Sequence, residues 1–169
     1  MGDPRESAPL HEALVRNTGF LISRLGWFAQ KHFSERIAGV GLTPRGWGAL
    51  NVLDKEGTIT QHALCKCMGM DPSSMVATID ELEAKGLVER RRNPHDRRAH
   101  ALHVTAEGRT TLFEGRKLAR RAQDELLAPL DTQEREQLHE LLLRLVEHSS
   151  DVRRRAGDVA EDERAAAPG

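Results

Sequence analysis

One stretch constrains this chain more than any other, because helical, stop and extended signals follow each other there in a fixed order: Asp71 to Thr105, DPSSMVATIDELEAKGLVERRRNPHDRRAHALHVT. Asp71 can accept hydrogen bonds from the free amides of a first helical turn, and Pro72 suits the first helical position. Met75, Ile79 and Leu82 recur at helical spacing and form a stripe to bury, while Ser73, Ser74, Ala77 and Thr78 stay small or polar. After Lys85, Gly86 stops the helix as a left-handed C-terminal cap does. Two short extended runs follow, Leu87–Arg91 and Ala99–Val104, with Arg92–Arg98 as the loop between them. A helix followed by a basic-tipped hairpin is suited to reading a groove with an arm beside it.

Charge is local rather than global. The formal net charge is −1, yet Arg90, Arg91, Arg92, Arg97 and Arg98 fall within nine residues against one acid, Asp96. At 169 residues the chain suits one domain with a real core. Few aromatics and many charged residues favour a helix-rich protein with solvated faces. No apolar run approaches the roughly 20 residues that span a bilayer, no basic–apolar signal peptide opens the chain, and its two cysteines fit a reducing compartment. A cytoplasmic location and no membrane contact are expected.

In chain order, residues 1–9 are polar and expected to be disordered. A long helix is expected from Leu10 to the Gly39-Val40-Gly41 break, with Leu14, Leu21, Leu25 and Phe28 on one stripe widened by Phe20, Trp27 and Phe33. A stripe this wide calls for more than one partner, which a second subunit would supply. Thr43-Pro44 starts the next helix, with Trp47, Leu50 and Leu53 inward until Gly57. Thr60 caps a short helix, Gln61–Met68, with Leu64, Cys65 and Met68 on its buried side, and Gly69 ends it. Two short helices joined by a Gly-containing turn match a helix-turn-helix, and the strand pair after it makes that a winged one. A fifth helix runs from Thr105 toward Pro129 with Leu112, Ala119, Ala122 and Leu126 on one side. Asp131 with Glu134 reads as a capping box for a sixth, which carries Leu138, Leu141, Leu142, Leu145 and Val146 and is a dimerisation candidate. Beyond Asp151 the composition becomes Arg-rich, then Ala/Glu/Asp-rich, and is expected to be frayed or disordered.

The residues Leu82–Gly108 closely resemble the wing region of MarR-type transcriptional regulators, and Gly41–Leu50, GLTPRGWGAL, resembles the start of that family's second helix. The resemblance covers roughly Leu10 to His148. It implies a mainly α fold with a small β-wing: six helices plus a two- to three-stranded antiparallel sheet in an intertwined homodimer. Within it, residues 10–42 form a dimerisation helix, 43–105 the DNA-binding lobe, 106–150 further dimerisation helices and 151–169 a tail. Such a dimer binds palindromic double-stranded DNA, and a repressor is expected here; a small ligand, often a phenolic or aromatic carboxylate, releases the DNA, and in some members oxidation does so. Carried over by position, the recognition helix is Pro72–Lys85, with Ser73, Ser74, Met75, Ala77 and Thr78 nearest the major groove and Thr60 and Gln61 beside them. The wing contributes Arg91, His95, Asp96, Arg97 and Arg98, with Asp96 bracing Arg98. A guanidinium held on a rigid hairpin enters the negative potential of a narrow minor groove at little ordering cost.

Arg24, Trp27, Phe28, His32, Arg45 and Trp47 are candidates for an effector pocket between the first helix and the DNA-binding lobe, offering rings to stack on and cations for an acid. The alternative is that both tryptophans are core. Cys65 and Cys67 sit two apart on a helix, roughly 200° from each other, so they converge on neither a disulfide nor a metal. His100 and His103 face opposite sides of a strand, and no Cys/His spacing for structural zinc appears, so neither a metal nor a cofactor is expected. A thiol- or metal-responsive regulator of the same fold stays as an alternative, as does a winged-helix protein-interaction module. An enzyme is disfavoured: there is no nucleophile elbow, phosphate-binding Gly loop or H-E-x-x-H.

Overall fold

The computed structural model describes the backbone of residues 10–93 and 96–165 and the side chains of residues 10–91 and 101–149. Expectations for residues 1–9 therefore lie outside the described residues. Seven helices and three strands follow in order among them: α1 (Glu12–Val15), α2 (Thr18–Ala38), α3 (Pro44–Glu56), β1 (Ile59–Thr60), α4 (Gln61–Met68), α5 (Pro72–Ala84), β2 (Val88–Asn93), β3 (Asp96–Val104), α6 (Ala106–Leu126) and α7 (Thr132–Ala165). The chain divides into two units, one ending at Leu126 and one starting at Leu127. Among the described residues no helix is long and apolar enough to cross a membrane.

The first unit is built around α3, α4 and α5. Thr43 Oγ1 accepts from the Gly46 amide at 3.1 Å, Thr60 Oγ1 from Ala63 at 3.2 Å and an Asp71 oxygen from Ser74 at 2.9 Å. Each of these helices thus begins on the side chain the sequence offers as its cap. Leu50, Leu53, Leu64, Met75, Ile79 and Leu82 meet in one core with Ile37 of α2 and Leu112 of α6. Each such side chain contributes about 1.5–3 kcal/mol of transfer free energy on burial.

The sheet is antiparallel in the order β1–β3–β2, with Ile59 opposite Leu102 and Val88 opposite Val104. Both long strands exceed the extended runs expected from the sequence. Pairing continues through Arg92 opposite His100, with a register irregularity before Asn93, so most of the expected Arg92–Arg98 loop is strand backbone. A solvated ladder needs no apolar alternation, so periodicity under-reads it.

The first helix also departs from expectation. It is interrupted at Asn17, whose side chain accepts from the Phe20 amide at 3.0 Å and starts α2 afresh. The interruption takes only Arg16 and Asn17, too short a break to show in the spacing of the apolar residues. Leu14, Leu21, Leu25 and Phe28 on α1 and α2 remain exposed. In the second unit, Asp131 and Glu134 form the expected reciprocal capping box, with both hydrogen bonds at 2.9 Å. Leu141, Leu142, Leu145 and Val146 are exposed on α7. Helical backbone continues past Asp151 to Ala165, through the segment expected to fray.

α5, the β2–β3 hairpin and α6 meet at one junction. Gly86 takes φ +69° to leave α5, a conformation that glycine adopts without a Cβ penalty. Thr105 Oγ1 donates to the Gly86 carbonyl at 2.7 Å and accepts from the Gly108 amide at 2.9 Å. At Gly108 a Cβ would stand 2.1 Å from the Leu87 carbonyl oxygen. Gly108→Ala should therefore lower stability by about 3 kcal/mol, since only backbone movement relieves the overlap. Urea denaturation followed by circular dichroism measures this; a wild-type midpoint would mean α6 and the wing do not approach so closely.

Candidate nucleic-acid interface and ligand cavity

α4, the turn at Gly69 and α5 form the helix-turn-helix. The Ser74 amide, donating to Asp71, holds that carboxyl below its ordinary pKa. The cap is therefore fully present at neutral pH and above the ordinary carboxylate range, and is lost as pH falls through the lowered value. Along α5, Met75, Thr78, Ile79 and Leu82 face inward, and Pro72, Ser73, Val76, Ala77 and Asp80 are exposed, with Ser74 partly so.

Two expected groove contacts are thereby corrected. Met75 is 0% exposed and Thr78 5%, so neither side chain stands out toward a duplex, and Thr78 reaches only the floor of the groove between α3 and α5. Thr78 satisfies its hydroxyl within the helix by donating to the Ser74 carbonyl at 2.8 Å. Polarity suggested an outward residue, but helical phase places Thr78 beside Met75 and Ile79. Val76, 42% exposed, was missed; its signal was an apolar residue out of phase with the stripe. Thr60 is half-buried, and its hydroxyl is engaged in capping α4. Gln61 is partly exposed at the start of that helix.

The wing is tied to α5 by Arg90. Its guanidinium reaches Asp80 Oδ1 at 2.5 Å and pairs with Glu83, which also accepts from the Arg90 amide at 3.2 Å. Partial burial works against the guanidinium charge, but the carboxylates of Asp80 and Glu83 outweigh it and raise the arginine's pKa. Arg91 is exposed and paired with Glu89 on its own strand. Asp96, Arg97 and Arg98 begin β3 as backbone, but their side chains, the expected Asp96–Arg98 brace and all of His95 lie outside the described residues.

The six effector candidates do not share one pocket. His32 and Trp47 meet in a cavity of about 250 Å³ walled by Ala29, Phe33, Ala119, Ala122, Gln123 and Leu126 from α2, α3 and α6. Trp47 packs edge-on to Phe33 at 5.1 Å between centroids, and its buried indole N–H has no acceptor among the described residues. His32 stacks on Phe28 and lies 2.8 Å from Glu125, whose same oxygen accepts from Arg36 at 2.5 Å. Arg24 and Trp27 line a separate cavity of about 270 Å³ with Phe20 and Ser23. Arg45 lies instead in a groove beside Ser73, Ser74 and Ala77 of the recognition helix. Helix geometry explains the separation: Arg45 and Trp47 are two apart, hence roughly 200° around α3, and Arg24 is about 12 Å along α2 from His32.

Cys65 is buried and Cys67 exposed, as their helical phase implies. No group of His, Cys, Asp and Glu able to hold a metal occurs among the described residues.

Residues 40–99 match the MarR family model. A putative transcriptional regulatory protein for the hcr operon of Thauera aromatica is 33% identical over 144 residues, covering 85% of this chain and 87% of that protein. Among solved structures, the transcriptional repressor CouR bound to a 23-mer DNA duplex is 32% identical with TM-score 0.74, covering 83% of this chain and 99% of that one. CouR from Rhodococcus jostii RHA1 bound to p-coumaroyl-CoA is 30% identical with TM-score 0.67, covering 80% and 95% respectively.

Arg90→Ala removes the charge that joins the wing to α5. Stability should fall by about 1 kcal/mol, because both carboxylates keep access to water. Amide exchange in β2 and β3 should accelerate while that in α3 stays unchanged. Equal protection of both strands in mutant and wild type would show that Arg90 is not what holds the wing.

Proposed function

The chain belongs to the MarR family of winged-helix transcriptional regulators, which are not enzymes, and from that premise we propose that it is a homodimeric repressor of a palindromic operator, released by a small effector. The observation that carries this reading is the outward face of α5. Ser73, Val76 and Ala77 are open to solvent on a helix whose opposite side is locked in the core, beside an arginine-bearing hairpin. The DNA-bound CouR neighbour supports it.

A second copy of the chain supplies cover for the apolar side chains exposed on α1, α2 and α7. The two-fold then sets two α5 helices about 34–36 Å apart, one turn of duplex, and the operator is an imperfect palindrome. The hairpin arginines, Arg98 foremost, enter the adjoining minor groove.

The effector enters the cavity between α2, α3 and α6. Its volume is below the about 300–1,000 Å³ of drug-sized pockets, so it takes a single ring. Phe33 and Trp47 supply aromatic walls, and His32 and Gln123 supply polar groups for an acid or acyl oxygen. The neighbour bound to p-coumaroyl-CoA supports an aromatic acyl group, as a free carboxylate or as its coenzyme A thioester.

Fluorescence anisotropy with a duplex from upstream of the protein's own gene tests the DNA reading. With about eight phosphates neutralised, affinity should fall with salt at a log–log slope near −7, and Arg98→Ala should weaken binding about tenfold or more while leaving the dimer intact. Shallow salt dependence, or wild-type affinity for Arg98→Ala, would refute the wing's role. Adding p-coumaroyl-CoA in one arm and p-coumarate in another separates the two effector forms. Ala119→Phe, which fills the cavity, should bind the duplex normally and no longer release it; normal release would place the effector elsewhere.

A further inference from the structure

We infer that α5 tells bases apart chiefly by apolar contact with the 5-methyl group of thymine, with Val76 making that contact and Ala77 beside it. This rests on the reading above, in which α5 lies in the major groove.

The outward face of α5 is chemically narrow. Its exposed residues in the first two turns are Pro72, Ser73, Val76 and Ala77, with Asp80 beyond them. None is Arg, Lys, Asn or Gln, the side chains that pair with two groups on one purine edge. A serine hydroxyl donates or accepts and so discriminates weakly. Asp80 has the chemistry to accept from a cytosine amino group, but its Oδ1 already accepts from Arg90 at 2.5 Å. Arg45 flanks α5 in the groove lined by Ser73, Ser74 and Ala77, and Val76 does not line that groove. The chemistry left to α5 for naming a base is methyl against methyl.

Val76 is also unexplained by folding. Apart from the terminal helices and Phe113 of α6, it is the one exposed large apolar side chain among the described residues. A β-branched residue lowers helix propensity slightly, and here it stays 42% exposed rather than entering the core. The same branching holds its side chain in one strongly preferred rotamer, so little side-chain freedom remains to be lost on contact. In the major groove only thymine presents a methyl group among the four bases, and 5-methylcytosine presents one at the equivalent position.

The test uses the tightest duplex selected from a randomised pool by the wild-type dimer. Each thymine is replaced in turn by deoxyuridine, which removes only the methyl. One symmetry-related position per half-site should lose about fourfold in affinity, and about fifteenfold when both are replaced. In Val76→Ala the same replacement should cost less than about twofold, with helicity by circular dichroism unchanged because the site is exposed. At that position 5-methylcytosine should be tolerated better than cytosine. No deoxyuridine-sensitive position, or equal sensitivity in Val76→Ala, would overturn the inference while leaving DNA reading intact. A pool from which no duplex is enriched over random DNA would overturn the DNA reading itself and this inference with it.

Discussion

The hydroxyl of Thr105 is the point on which the geometry of the reading head turns. It donates to the last carbonyls of the α5 exit and accepts from the first turn of α6, while its amide donates to Leu87 at 3.1 Å. Leu87 in turn donates back to Leu82 at 2.9 Å, and only Lys85, Gly86 and Leu87 separate the helix from the strand. Three elements are thus joined through backbone groups that must find partners anyway once buried. Gly108 permits it by having no side chain where α6 passes Leu87. The wing's direction is set at its base by hydrogen bonds. Arg90 adds a second tie part-way along, and the tip is left to polar residues.

That division explains what was legible in the sequence. Caps and stops were: Thr43, Thr60, Asp71 and the Asp131–Glu134 box all act as their residue types suggest, because capping is a local interaction between neighbours in sequence. Core positions at helical spacing were legible too, including Leu50, Leu64 and Ile79. Failures arose where polarity and phase disagreed. Thr78 has a polar group that the helix itself satisfies, so phase prevails and it is buried. Arg45 and Trp47 look like neighbours in sequence, yet helix rotation sends one toward α5 and the other toward α6. β1 was hidden because Thr60 both ends a strand and caps a helix. The division of the expected effector residues among separate cavities is tertiary information, and no window of sequence contains it.

α3 gives the proposed switch a physical route. One side of this helix carries Trp47 into the cavity, against Phe33 of α2 and Gly115 of α6. Its adjoining residue, Gly46, packs against α5, where a Cβ would lie 3.3 Å from Leu82. A close-packed interior transmits such displacement rather than absorbing it. A ring entering the cavity and shifting Trp47 therefore pushes on the helix that supports the reading helix. The buried indole N–H adds a preference: with no acceptor among the described residues it carries a desolvation cost of about 1–3 kcal/mol, so a ligand that supplies one is favoured by a similar amount. Tight binding alone does not release DNA. In the proposed dimer a ligand would act only by its difference in affinity for two arrangements of the lobes, commonly a coupling of about 1–3 kcal/mol.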